Sequence, residues 1–98
     1  MHCYFRVISQ GEKTDRSFDR KDGTKAVVST VEIAVHTGND EFKAEVEGPL
    51  AVSINENKLD PNMLYEGEFS MRIGSWKKEG SDEERTGTFI KFTRIAAV

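Results

Sequence analysis

Ninety-eight residues, 37% hydrophobic and 32% charged, suffice for one modest core, since domains typically run to about 100–150 residues, and argue against a chain built to lie in lipid. No apolar stretch reaches the ~20 residues a membrane-spanning helix needs, and Arg6 interrupts the short apolar run at residues 4–8 that would have to serve as a signal-peptide core, so a cytoplasmic location is expected. The net charge of −3 is sorted along the chain: residues 1–30 hold six Lys/Arg against four Asp/Glu, residues 31–70 two against nine, and residues 71–98 six against four, and local charge rather than the total decides what a surface attracts.

The first predicted element is a strand over residues 3–8, aromatic and β-branched in composition. Its Cys3, the lone cysteine, can form no internal disulfide, which agrees with a reducing compartment. It reads as a small apolar strand residue rather than a reactive or metal-binding thiol. Residues 15–25 follow as a projecting loop or hairpin tip, because Asp22-Gly23 is a strong turn former. From Ala26 to His36 the apolar Val27, Val31, Ile33 and Val35 share one parity; Thr37-Gly38-Asn39-Asp40 reads as a turn. Phe42, Ala44 and Val46 then alternate with Glu41, Lys43, Glu45 and Glu47. Period two with one dry and one wet face predicts a long β-hairpin over residues 26–47.

Gly48-Pro49 ends that hairpin, since proline cannot donate to a strand ladder. Leu50, Val52 and Ile54 suggest a further short strand, or a continuation after a bend, and residues 55–62 are turn-rich with room for a short helical turn. Phe69, Met71 and Ile73 alternate again, with Tyr65 leading in. Residues 77–87 form a polar loop with an acidic tip, and residues 88–95 a last strand. No long amphipathic helix, repeat or linker is evident. A single domain spanning residues 1–98, with five or six strands and little helix, implies a barrel or a sandwich.

Catalysis finds no support. His2 and His36 stand in no cluster with metal-ligand spacing, no nucleophile–base–orienter motif is visible, and the glycines form no phosphate-cradling loop. No catalytic residue, metal or cofactor is expected. The basic ends carry more: Phe18, Trp76, Phe89 and Phe92 lie among their cations. One candidate region holds Arg16, Phe18, Arg20, Lys21 and Lys25; the other holds Trp76, Lys77 and Lys78, with Lys91 and Arg94 on the last strand. Proteins that hold single strands combine cations that track phosphates with aromatic faces on which bases stack.

Four short segments stand in a telling order. These are the basic loop Arg20-Lys21-Asp22-Gly23-Thr24-Lys25, the turn Gly38-Asn39-Asp40-Glu41-Phe42, the segment Pro61-Asn62-Met63-Leu64-Tyr65, and Ser75-Trp76-Lys77 leading to a final strand with a basic residue. In this order the chain resembles the small single-stranded-DNA-binding (helix-destabilising) proteins of filamentous phages. The resemblance implies an all-β, five-stranded OB-type barrel, a two-fold homodimer, and coating of single-stranded DNA, or RNA, with little sequence preference, in a phage, prophage or mobile element. Carried over by position, it implies phosphate contacts from Arg16, Arg20, Lys21, Lys25 and Arg94, and base stacking on Phe42 and Trp76. The acidic centre and the acidic tip support a different reading, a protein-interaction barrel that receives a basic partner.

Overall fold

A computed structural model describes residues 1–77, 80 and 82–98, apart from the side chain of Trp76. The chain runs β1 (His2–Gln10), β2 (Thr14–Asp19), β3 (Lys25–Thr37), β4 (Asp40–Glu47), α1 (Pro49–Glu56), β5 (Tyr65–Lys77) and β6 (Glu84–Ala97). Five strands close a ring in the order β1-β5-β6-β4-β3, and β3 pairs back to β1. The sixth strand, β2, pairs antiparallel with the first half of β3 and extends from the ring as a flap. The expected five-stranded barrel is therefore present, with one additional strand that arises from the segment read as a loop. Only the turn of that segment, after Asp19, remains loop.

The hairpin expected at residues 26–47 is β3–β4, paired from Thr30↔Glu47 to Thr37↔Asp40. Its dry face is the core: Val31, Ile33, Val35, Ala44 and Val46 are buried together with Phe5, Val7, Tyr65 and Phe92, whereas Val27, expected with them, is exposed because the first half of β3 leaves the ring to pair with β2. The ring closes through one parallel seam, β4 beside β6, of only two pairs, Glu45↔Lys91 and Val46↔Phe92. Gly67 lies where β5 passes over the packed rings. A Cβ there would come within 2.9 Å of Phe5, Phe92 and the Arg94 carbonyl, so no larger residue fits without a shift. Cys3 is half-buried against this core, and burial raises its thiol pKa.

Three expectations are corrected. Leu50, Val52 and Ile54 do not form a strand; they lie in α1. Pro49 sits in its first turn, where a missing N–H costs nothing, and the buried pair Ala51 and Ile54 follows helical spacing while Val52 is exposed. The helix packs on β3 and β4 and covers one end of the barrel. The polar loop is shorter than expected, because β5 runs on to Lys77 and β6 begins at Glu84. Finally, Met71 and Ile73 alternate as core residues would but are exposed, Ile73 by 82%. Thirteen residues of β5 span about 43 Å at ~3.3 Å each, and β1 pairs with only the first four of them. The rest of the β5–β6 hairpin overhangs the barrel.

Candidate functional site

On the outer face of β3, β4 and β6, a groove of about 480 Å³ opens between the β2 flap and the β5–β6 hairpin. The wet parity of the central hairpin supplies its floor: Glu32 from β3, and Lys43, Glu45 and Glu47 from β4. One wall carries Arg16 of β2; the other carries Ser70 and Arg72 of β5 with Phe89 and Lys91 of β6. The parallel seam brings β6 beside β4, so residues 45 and 91 become neighbours.

Most of the groove's charge is paired. Arg16 Nη2 lies 3.6 Å from Glu45 Oε1, Lys43 Nζ 3.9 Å from Glu32 Oε1, and Lys91 Nζ donates to Glu47 Oε1 at 2.7 Å. Arg72 instead lies over the ring of Phe89, its guanidinium carbon 5.3 Å from the centroid, a cation–π arrangement. The Phe89 ring also rests against the backbone of Gly74, where a Cβ would stand 2.6 Å from Cε2. Glycine at 74 therefore lets the ring lie across the strand, and Phe89 keeps 44% of its surface exposed.

The flap is built by short-range bonding. Gly23 takes φ +85°, a conformation in which a Cβ is disfavoured, and its N–H donates to the Arg20 carbonyl at 3.0 Å while Arg20 N–H donates to Thr24 O at 2.7 Å. The Asp22 carboxylate accepts from the Thr24 hydroxyl at 2.6 Å and the Thr24 N–H at 3.0 Å, which lowers its pKa. Asp15 is lowered likewise, first by the Ser29 hydroxyl and then by Lys13. Those bonds hold the tip in shape and present Arg20, Lys21 and Lys25, all exposed. Among the described residues, none of these three is paired with a carboxylate.

The sequence-predicted residues divide accordingly. Arg16 lines the groove, and Phe18, two residues on and 51% exposed, shares its face of β2 by strand alternation. Arg20, Lys21 and Lys25 form the flap tip. Lys77 ends β5, exposed, with its backbone opposite Glu84, and the Trp76 backbone is opposite Arg85. Lys78, the Trp76 side chain, and Glu79 and Ser81 of the expected acidic tip lie outside the described residues. Phe42 is not a surface ring: it points inward, with centroids 6.4 Å from Phe92 and 6.3 Å from Phe69, as the dry parity of its strand requires. Phe92 is itself fully buried. Arg94 is outside the groove lining and sits 3.7 Å from both Glu66 and Glu68, because β6 there has passed the seam and runs beside the first half of β5.

Three groove residues went unselected in the sequence: Lys43, Arg72 and Phe89. Lys43 and Arg72 were legible as wet positions of alternating strands, but single cations on such faces are commonplace. Phe89 was visible only as an aromatic in a basic terminal segment.

No protein-family model matches this chain, and no curated protein is similar to it in sequence. Among solved structures it is similar to the small single-stranded DNA-binding protein from Streptomyces coelicolor, with a TM-score of 0.51 at 15% identity, over 100% of this chain and 92% of that one. The fold is an OB-like barrel. At that identity the likeness is one of architecture, shared with a single-stranded DNA-binding protein and not specific to filamentous-phage proteins. Among the described residues no helix is long and apolar enough to cross a membrane.

Proposed function

We propose that this chain binds single-stranded DNA in the groove between the β2 flap and the β5–β6 hairpin. The observation that carries the reading is the groove itself: a cation-lined channel with an exposed ring, placed across the second and third strands of an OB-like barrel. OB-folds bind oligonucleotides on that face, between the loop joining the first two barrel strands and the loop joining the last two. Here β3 and β4 are the second and third barrel strands, and the flap and the β5–β6 hairpin occupy the places of those loops. Arg20, Lys21, Lys25 and Arg72 would track phosphates; Arg16, held by Glu45, and Lys77, with Lys78 as expected from the sequence, would add to the attracting field. Phe89, Phe18 and Trp76 would offer stacking faces.

No step of chemistry is assigned to the protein. Coating of single strands with little sequence preference, as a homodimer in the cytoplasm during replication of a phage, prophage or mobile element, is the fuller form of the proposal, supported by the order of the short segments described above. The adaptor reading has less support, because Glu45 and Glu47 of the acidic centre are each bound to a cation of the same chain.

The test is fluorescence anisotropy of a labelled homopolymeric single strand between about 50 mM and about 200 mM salt. Four phosphate contacts, from Arg20, Lys21, Lys25 and Arg72, give an expected slope of log affinity against log salt near −3, at about −0.7 per contact on single strands. Absence of binding at the lower salt, or binding indifferent to salt, refutes the reading.

A further inference from the structure

The groove carries cations where a nucleic-acid site needs them, yet three of the four in its lining already hold a glutamate of the same lining. Beside the groove, four cations that hold no carboxylate among the described residues stand at the rims: Arg20, Lys21 and Lys25 on the flap tip, and Arg72 stacked on Phe89 across the channel. Charge is thus arranged in two zones, a floor that neutralises itself and rims that do not.

Resting on the single-strand reading above, we propose that Glu32, Glu45 and Glu47 are the specificity determinants that exclude duplex, forcing the bound strand to turn its bases to the floor and its phosphates to the rims. A phosphate laid on the floor meets a carboxylate, and a like-charge contact at about 4 Å costs roughly fivefold in affinity even in water. A duplex cannot avoid this. Its bases are stacked inside, and it presents one phosphate charge per ~1.7 Å of axis to any surface it approaches. A single strand can rotate, bringing phosphates to Arg20, Lys21, Lys25 and Arg72 and base edges to the floor. There a carboxylate is no obstacle, since carboxylate oxygens accept hydrogen bonds from amino groups such as cytosine N4. The Phe89 ring, on the wall above the floor, is placed for a base and not for a phosphate.

The experiment compares anisotropy titrations of a labelled single strand and the duplex of the same sequence, for the native protein and for the triple variant Glu32→Gln/Glu45→Gln/Glu47→Gln. Glutamine keeps the side-chain length and an acceptor oxygen, so the Lys91 hydrogen bond survives the change; the single variant Glu45→Gln and a thermal melt of each protein guard against an unfolded comparison. The native protein is expected to prefer the single strand, and the triple variant to gain at least about tenfold on duplex but no more than about threefold on the single strand, since screened rim phosphates lie farther from the floor. Glu45→Gln alone shifts the ratio in the same direction. Equal gains on both ligands would mean the glutamates only lower the total charge, and no gain on duplex would mean they do not guard the floor; either result overturns this proposal and leaves single-strand binding standing. A native protein that binds neither ligand overturns both.

Discussion

Phe42 and Phe89 look alike in the sequence, each on a strand with a lysine one or two positions on, and differ entirely in what surrounds them. Phe42 has the dry parity of β4 and shares the ring cluster of Phe69 and Phe92. Phe89 has the wet parity of β6 and lies over Gly74 under the Arg72 guanidinium. Opposite consequences are expected from the same substitution. Phe89→Ala should weaken single-strand binding by about 1–3 kcal/mol, the worth of one stacked base, and lower stability by only about 1 kcal/mol, the scale of its exposed contact with Arg72. Phe42→Ala should lower stability by about 2–4 kcal/mol, toward the low end for a buried ring replaced by alanine because Phe42 is only partly buried, while affinity measured well below the transition stays within about twofold. Paired urea denaturation and anisotropy titrations check both. Loss of binding in Phe42→Ala without loss of stability would return that ring to the site.

At the scale of elements, the flap is a cationic arm whose shape comes from its own turn and whose tip cations are not committed to the barrel, Arg16 at its base being the one that is. The variant Arg20→Ala/Lys21→Ala/Lys25→Ala should therefore fold normally and lose about two units of salt slope, three contacts at about 0.7 each; a slope equal to the native one would remove the flap from the interface. This arm was largely legible in the sequence, since Asp22-Gly23 marks its turn and the cations surround it. So was the β3–β4 hairpin from Val31 on, where alternation marks the dry residues; Val27 shares their parity but is exposed, because that half of β3 pairs with the flap outside the ring. The β5–β6 overhang was not. Period two says that Met71 and Ile73 share a face with Phe69, but whether the barrel reaches that far depends on where β1 stops pairing, which is a fact about another segment. Helix α1 was missed for a related reason: four apolar residues in the five positions after Pro49 fit either period, and the end of the barrel, which a helix fills and a strand would leave open, decides between them. Arg94 was expected at phosphates from the resemblance, on the same last strand as Lys91. Only two residues separate it from Lys91, but the irregularity at Glu68/Phe69 and the end of the seam put it beside Glu66 and Glu68.

For the molecule as a whole, the barrel is closed by its weakest seam exactly where the groove lies. β5–β6 pairs over thirteen positions, whereas the parallel β4–β6 contact has only Glu45↔Lys91 and Val46↔Phe92, reinforced across the same seam by the Lys91–Glu47 hydrogen bond at 2.7 Å. Local opening follows the least-bonded part of a fold, so this seam is where the ring should open first. A strand lying in the groove touches both sides of it, β4 through the floor and β6 through Phe89 and Lys91, and would hold them together. Ligand that binds only the closed ring adds about 2.7 kcal/mol at a hundredfold excess over Kd, which for a domain of this size raises Tm by about 10 °C or more. The distribution of the effect is the sharper test. Amide hydrogen exchange with and without a saturating single strand should slow most at β4 and the facing part of β6, and least at the β1–β5 pairing on the far side of the barrel. Protection spread evenly over all strands would mean that the ligand stabilises the fold without bridging the seam, and protection confined to β1 and β5 would place the bound strand on the other face of the barrel.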